Sequence, residues 1–585
     1  TTVIRYPMGN DFNRPHEHLT VNLPDHLDLI AAAPAGIQKL RGLILELAVR
    51  GKLVPQDPND EPASELLERI ARERARQETA VSSKPSKATT LSEDTERYLK
   101  IPETWQWVRF EEIAQHNSGK TLDKGRNSGE PRPYLTTSNL YWGRFELDSV
   151  RQMLIKDDEL QRCTARKNDL LICEGGEAGR AAVWPHDYEI CFQNHVHRAR
   201  LFGGINPYFA YRFFEKLNAS GEIDLYRKGV GISNMSGKAL ASIPFPVPPL
   251  AEQHRIVAKV DELMALCDRL EAEQADAGAA HARLVTTLLG TLTNSADAAE
   301  LAANWQRLAE HFDTLFTTEA SLDALKQTIL QLAVMGKLVP QHPNDEPASE
   351  LLKRIAKERV RLEAERVCKK SKPTLPVGED EQPFTVPDGW MWVRIDDVSQ
   401  LVTDGEHATP TRTSDRSAIP LVTAKNVRDG YLDYTHTDFV PKDVADKCWK
   451  RCKPTLGDIL LVSVGATLGR LSVLDHDRDM VLVRSVTVIR PCLVDRSFFA
   501  TALRSPIVQD SIWRGVKQSA QPCLYLAQSS SLPIPLPPLA EQHRIVAKVD
   551  ELMALVDRLK AGLAESRSQQ ERLATTLIES ALKAA

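Results

Sequence analysis

Four stretches of this chain bring together residue types that grip phosphates or metals; in three the spacing is wrong for that chemistry, and the fourth, a histidine pair that could chelate, is read more simply as an ordinary strand face. Residues 174–180, EGGEAGR, are glycine-rich, yet no Gly-Lys-Ser/Thr follows to hold a nucleotide phosphate. Gly119-Lys120-Thr121 has Ala114 where a phosphate-binding loop needs its first glycine. Cys448 and Cys452 have no second Cys or His pair at zinc spacing nearby. His195 and His197 alternate, as any strand face does. No carboxylate pair with a lysine stands out as a nuclease cluster either. Nothing here looks catalytic, so the work of the chain falls to its surfaces.

The totals set bounds on those surfaces. A chain of 585 residues is too long for one core and suggests three to five structural units. Nine scattered cysteines, an odd number, argue for reduced thiols in a cytoplasm. No apolar run approaches a membrane span and the first thirty residues lack a signal-peptide core, so a soluble, cytoplasmic protein is expected. A net charge of −5 does not by itself suggest a nucleic-acid partner.

The elements that must position any functional surface are duplicated. Residues 248–270, PPLAEQHRIVAKVDELMALCDRL, return at 537–559 with one change, Cys267 to Val556. Two prolines and then a long run without Pro or Gly predict a long helix in each copy. Ile256, Val260, Leu263, Cys267 and Leu270 step by four and three, and Leu284 and Leu288 rejoin the frame after a poorer middle of Gln274, Ala277 and His281. Ile545, Val549, Leu552, Val556, Leu559, Leu563, Leu573 and Leu577 do the same. Such a heptad seam needs a partner helix. The polar faces match as well, which packing alone does not require. Either the duplication is young or something docks on both copies, and Glu252, Gln253 and Arg255, with Glu541, Gln542 and Arg544, are the candidate partner-binding residues.

A second repeated block precedes each long helix. Ile37, Leu40, Ile44 and Leu47 match Leu322, Leu325, Ile329 and Leu332 on a shorter helix, stopped by Gly51 or Gly336 with Pro55 or Pro340 beyond. Between residues 44–76 and 329–361, 27 of 33 positions agree, far more than shared architecture produces. Asp60 or Asp345 is expected to cap the next helix, with Pro62 or Pro347 in its first turn. The charged runs 68–78 and 353–366 read as solvated helix faces, although Arg69, Arg72, Arg74 and Arg76 are available to phosphates. Residues 81–92 and 369–382 read as linkers. Between linker and long helix, residues 98–243 and 384–532 carry short β-rich runs such as WQWVRF and WMWVRI. Only landmarks correspond there: Trp107 with Trp392, Asn139 with Asn426, Asp169 with Asp458 and Gly179 with Gly469. These are two α+β globules of one fold with different surfaces.

This alternation, with GKLVPQ after the short helix and PPLAEQHRIV opening the long one, resembles the specificity subunit of type I restriction-modification enzymes over nearly the whole chain. The resemblance implies an α+β chain with two target recognition domains, at 95–248 and 383–537, each reading one half of a split DNA site. Two antiparallel coiled-coil helix pairs would separate and join them in a pseudo-two-fold, circular arrangement. Residues 1–94 would form an N-terminal helical region and linker, and 249–382 a central region whose long helix pairs with the helix near 322–334. The helix of 538–585 would close back on residues 37–49. The implied partners are double-stranded DNA, two methyltransferase subunits and two restriction/translocase subunits. S-adenosylmethionine, ATP and Mg would sit on those partners, with no cofactor on this chain. Half-sites one turn apart, about 34 Å, suit such a reader, and a helix of about 40 residues spans about 60 Å. Basic and acidic residues nearly balance in each globule, so weak binding of DNA by the chain alone is expected.

Specific readout favours Arg or Lys on guanine and Asn or Gln on adenine. In the first globule the candidates are Lys120, Thr121, Lys124, Arg126, Ser138 and Asn139, then Lys228, Ser233 and Asn234 before the long helix. In the second they are His407, Thr409 and Arg412, in a loop that resembles one common near the start of recognition domains in this family, with Lys425, Asn426, Arg484, Lys517, Gln518 and Gln521. Asn206-Pro207-Tyr208-Phe209 lacks the second proline of the Asn-Pro-Pro-Tyr/Phe motif that holds a flipped adenine, and it reads as a helix start. The competing reading is a coiled-coil scaffold whose globules bind proteins. It predicts no sequence-dependent DNA binding even with a methyltransferase present.

Overall fold

The computed structural model describes residues 27–81, 100–123, 125–229, 233–296, 298–366, 374–514, 516 and 521–584. They separate into two compact units, one ending at Asp276 and resuming at Ser566, the other running Ala277–Glu565. Both cuts fall inside the long helices Leu250–Thr293 and Leu539–Ala584. In the first helix that is the stretch of Gln274, Ala277 and His281, where the apolar seam is poorest.

In the first unit the helix Gly36–Val49 buries Ile37, Leu40 and Ile44 against Ile256, Val260, Met264 and Cys267. Arg41 pairs with Asp268 (2.5 Å) and Glu271 (3.1 Å), and Gln274 donates to the Ala31 carbonyl (2.9 Å), so the two chain directions oppose. The same short helix also meets the end of the second long helix, through Ala574, Leu577 and Ala581 and the ion pair Lys39–Glu571 (3.2 Å). The second unit repeats the scheme. Helix Glu319–Val334 packs Leu322, Leu325 and Ile329 on Ile545, Val549, Leu552 and Val556, and also on Val285, Leu289 and Leu292. Lys326 pairs with Asp557 (2.8 Å), and Lys337 Nζ donates to the carbonyls of Thr293 (2.8 Å) and Ser295 (2.9 Å).

Two sequence expectations are corrected here. The first part of Leu250–Thr293 packs on Gly36–Val49, not on the helix near 322–334, and the first part of Leu539–Ala584 packs on Glu319–Val334, not on residues 37–49. Each expected pairing holds only for the last part of its long helix. The seam itself also shifts by one residue. Leu284 and Leu573, placed in it by heptad counting, are 50 % and 46 % exposed, while Val285, Leu289 and Ala574 are buried. A straight helix drifts about 20° per heptad from a strict seven-residue repeat, and the poor middle leaves nothing to hold the frame.

Gly51 and Gly336 close the short helices as expected, at φ 67° and 68°, with Lys52 donating to Leu47 O and Lys337 to Leu332 O, each at 3.0 Å. A Cβ on Gly336 would lie 2.4 Å from Pro387 Cγ, so no other residue fits. Asp60 and Asp345 do not cap. Helices Ala63–Val81 and Ala348–Ala364 instead give their first N–H groups to Thr104 O (3.0 Å) and Gly389 O (2.8 Å).

The globules share one topology. Gln106–Arg109 pairs antiparallel with Pro244–Val247, and Met391–Arg394 with Pro533–Leu536, joining the two ends of each globule. Inside the first, Ala114–Ser118, Val196–Leu201, Leu170–Cys173 and Ala181–Val183 form one sheet; a second runs Arg151–Ile155, Glu130–Leu135, Ile190–Phe192, Thr164–Ala165. The other globule has Ser399–Asp404, Val486–Pro491, Ile459–Val462 and Leu471–Val473 in the first sheet, and Asp438–Val440, Ile419–Val422 and Val481–Leu482 in the second. Helices Pro207–Ala219 and Arg496–Arg504 follow, each capped by the side chain before it: Asn206 accepts from Tyr208 N and Asp495 from Ser497 N, both at 2.9 Å. Among the described residues no helix is long and apolar enough to cross a membrane.

Truncation separates the observed seam from the heptad one. Leu289→Ala should cost about 2–5 kcal/mol in equilibrium urea unfolding, whereas Leu284→Ala, on the exposed face, should stay within about 0.5 kcal/mol.

Candidate nucleic-acid interface

The start of each long helix is bolted into its own unit by buried polar residues. Glu252 is 1 % exposed and accepts from Trp105 Nε1 (2.8 Å) and from Gln56. Glu541 does the same with Trp390 (2.9 Å) and Gln341 (3.2 Å). Gln253 accepts from Asn206 N (2.8 Å) and donates to Pro248 O (2.9 Å); Gln542 accepts from Asp495 N and donates to Pro537 O, both at 2.9 Å. Arg255 reaches Asp60 and Arg544 reaches Asp345, each at 2.6 Å. The six residues assigned to partner docking therefore hold bonds within the chain, Glu252, Gln253, Glu541 and Gln542 buried and Arg255 and Arg544 half-exposed, which accounts for the match of these six between the two helices. Sequence reading missed Gln56, Trp105 and their counterparts, and gave Asp60 and Asp345 the part of helix caps instead of partners to Arg255 and Arg544. The signal was present, since the motifs GKLVPQ and PPLAEQHR repeat together. Burial pushes the carboxyls of Glu252 and Glu541 above the usual glutamate range, against the hydrogen bonds from tryptophan and glutamine.

The polar loops gather at one end of each globule. In the first, Lys120 N donates to Phe192 O (3.0 Å), Asn194 N to Lys120 O (3.0 Å), and Glu174 N to His195 O (2.8 Å). Ser233–Asn234 pairs with Gly175–Gly176, and Ser233 Oγ donates to Gly176 O (2.6 Å). Lys120, Thr121, Lys228, Ser233 and Asn234 thus share one loop cluster, with Arg126 on the exposed continuation. Gly119 pins it: a Cβ there would sit 2.0 Å from Phe192 O. Lys124 lies outside the described residues. In the second globule Glu406 N donates to Leu482 O (2.7 Å), Arg484 N to Glu406 O (2.9 Å), Gly465 N to Pro522 O (2.9 Å) and Leu524 N to Ser463 O (2.8 Å). That brings together His407, Arg484 and the loop of Gln521, while Lys517 and Gln518 lie outside the described residues.

Several of the basic candidates already hold acids. Lys120 pairs with Glu159, Arg126 with Asp123 (3.7 Å), Arg412 with Asp438 (3.2 Å) and Lys425 with the same Asp438 (3.8 Å). His407 Nε2 meets Asp404 Oδ2 (2.6 Å) and the Arg451 guanidinium (2.9 Å). Burial opposes the Asp404 charge, but hydrogen bonds from Arg451 and His407 outweigh it and hold the carboxyl below its usual range. Thr409 is exposed.

Asn139 and Asn426 are corrections. Both are buried, at 1 % and 2 % exposure, with their hydrogen bonds spent internally. Asn139 accepts from Thr136 N (2.9 Å) and donates to Glu146 O (3.0 Å); Asn426 accepts from Thr423 N (2.9 Å) and donates to Asp433 O (3.0 Å). They hold a turn and cannot reach a base. Ser138, beside Asn139, is exposed and bonds Thr136 Oγ1 (2.7 Å). Among the described residues no group of three His, Cys, Asp or Glu is placed to hold a metal.

The family model for the type I restriction modification DNA specificity domain matches residues 102–277 and 387–565. The chain is 36 % identical over 581 residues to the type I restriction enzyme EcoAI specificity subunit of Escherichia coli, covering 94 % of each chain. It belongs to the type I specificity subunits. The EcoEI specificity subunit of Escherichia coli is also 36 % identical, again over 94 % of both chains. Solved structures it resembles include a chain from a type I R-M system (19 % identity, 82 % of this chain and 98 % of that one, TM-score 0.48). Another is the HsdS subunit of Thermoanaerobacter tengcongensis (19 %, 83 % and 98 %, TM-score 0.39). The two matched ranges end at 277 and 565, where the compact units of this specificity subunit divide.

The buried glutamates predict a pH dependence. A carboxyl raised in the folded state stabilises fully below its unfolded value, about 4.3, and that contribution is lost as pH rises through the folded value. Glu252→Gln combined with Glu541→Gln should therefore flatten the fall of the urea midpoint as pH rises above about 4.3, measured by equilibrium unfolding of the full chain.

Proposed function

We propose that this specificity subunit reads a bipartite DNA target, one half with each globule, and supplies recognition while its partners supply catalysis. The observation that carries this reading is that two globules of one topology, each bolted to a long helix by the same buried clip, present loop clusters at the same place with unrelated sequences. A constant frame with two differing tips is what two different half-sites require.

Membership of the family supports the remaining parts of this reading. The helices set the gap between half-sites, as antiparallel pairs in a pseudo-two-fold arrangement, and dock two methyltransferase subunits; two restriction/translocase subunits complete the assembly. S-adenosylmethionine, ATP and Mg belong to those partners. With the clip residues committed internally, docking falls to matched side chains that stay exposed or half-exposed, such as Lys259 and Glu262 with Lys548 and Glu551.

Replacing residues 118–132 with the corresponding loop of another specificity subunit should change one half of the methylated site and leave the other unchanged. Inserting one heptad into Leu250–Thr293 should change only the gap. Adenine-methylation profiling of cells expressing the variant with its methyltransferase reads both, and an unaltered site in either case overturns the modular reading.

A further inference from the structure

A short hairpin occupies the same place in both globules and carries the same two side-chain types in opposite order. In the first, Leu140–Tyr141 pairs with Arg144–Phe145, setting Tyr141 opposite Arg144. In the second, Val427 bridges Leu432 and Arg428 N donates to Tyr431 O (3.0 Å), setting Arg428 opposite Tyr431. The frames match in detail. Gly143 and Gly430, at φ 69° and 95°, donate to Ala181 O and Leu471 O, each at 3.1 Å. Glu146 N donates to Asn139 O and Asp433 N to Asn426 O, each at 2.8 Å. Each arginine pairs with that same acidic position, Arg144 with Glu146 (3.2 Å) and Arg428 with Asp433 (3.3 Å).

We infer that the tip of this hairpin is a sequence-independent DNA contact, its guanidinium on a backbone phosphate and its phenol ring against the adjoining sugar. It would hold each globule in register while the loops beside it read bases, and it rests on the recognition reading above. The exchange of Tyr and Arg between globules is the main support. A protein pocket shaped around a tyrosine is not filled by an arginine in its place, because interface anchors sit in close-fitting pockets. A phosphate backbone repeats along its strand and takes a cation at either of two neighbouring positions, here about 5 Å apart across the hairpin.

Exposure and rigidity agree with that role. Tyr141 and Tyr431 are 37 % and 60 % exposed, and the Arg144 side chain is 63 % exposed. The Arg144–Glu146 pair faces solvent and the Arg428–Asp433 pair is half-exposed, at 38 % and 27 % of the side chains, so a phosphate can compete with either carboxylate. The base of each hairpin is fixed by the fully bonded Asn139 or Asn426, so little order is lost on binding. Tyr141 is further contacted by two guanidiniums, Arg144 at 4.6 Å and Arg180 at 5.1 Å from its ring centre. In the first globule the hairpin also adjoins the loop cluster. Trp142 Nε1 donates to Glu177 (2.7 Å) in the loop whose Gly175–Gly176 pairs with Ser233–Asn234.

The test uses the chain assembled with its methyltransferase, a labelled duplex carrying the target found by methylation profiling, and a scrambled duplex of equal length. Arg144→Ala and Arg428→Ala should each lower the slope of log Kd against log salt by about 1, and weaken both duplexes by the same factor. Tyr141→Arg combined with Arg144→Tyr should restore the slope that Arg144→Ala loses. An unchanged slope and affinity overturns the inference, as does a loss confined to the target duplex, which marks base readout. Weakened assembly with the methyltransferase in the absence of DNA overturns it in favour of a protein contact. A parent complex that does not prefer target over scrambled duplex overturns the recognition reading itself, a result distinct from all of these.

Discussion

A buried carboxylate at the first turn of each long helix is the constraint on which the rest depends. Glu252 and Glu541 are desolvated, which costs several kcal/mol for an unpaired ion, and each is tolerable only because an indole and a glutamine amide donate to it. The three donors and acceptors come from three places in the chain: the end of the short helix, the start of the globule and the start of the long helix. One interaction therefore fixes the register of helix against helix and of globule against both. Asp60–Arg255 and Asp345–Arg544 close the same corner with charge-assisted bonds.

With that corner fixed, the globule is free to vary everywhere except where its own frame demands otherwise. The landmarks shared by the two globules are of this internal kind. Asp169 takes a two-pronged bond from Arg200 (2.8 and 2.6 Å), and Asp458 takes one from Arg490 (2.7 and 2.8 Å). Both aspartates are almost fully buried, so losing the arginine would strand a charge. Asn139 and Asn426 play the neutral version of the same part. What agrees between the globules is scaffold, and what differs is the loop cluster.

That division explains what could be seen in the sequence. Duplication, element order, glycine closures and two α+β globules were legible because each leaves a local mark: a repeat, a breaker, or an alternation of apolar residues. Helix partners were not, because heptad counting identifies a seam but not its occupant, and the register is set by Glu252 and Gln56, far apart in sequence. Asn139 and Asn426 misled for a related reason. Residue type suggested a base reader, whereas a matched asparagine in otherwise dissimilar globules is the expected trace of a buried turn. The hairpin tips at Tyr141 and Tyr431 escaped notice because Tyr and Arg exchange places there, which removes any aligned signal.

The balance of charge then has a physical use. Several basic side chains of the candidate loops and of the hairpin are held by a nearby acid in an exposed or half-exposed pair, as with Arg126–Asp123, Arg412–Asp438 and Arg428–Asp433. Such pairs contribute about 0–1 kcal/mol and are readily exchanged for a stronger partner. Each acid cancels the long-range field that would otherwise draw the loops to any polyanion, so non-specific attraction is small. A base edge or phosphate in the right place still displaces the acid, because a geometrically matched, partly desolvated contact is stronger than a solvated one. An exchangeable acid thus favours a matched contact over a diffuse one.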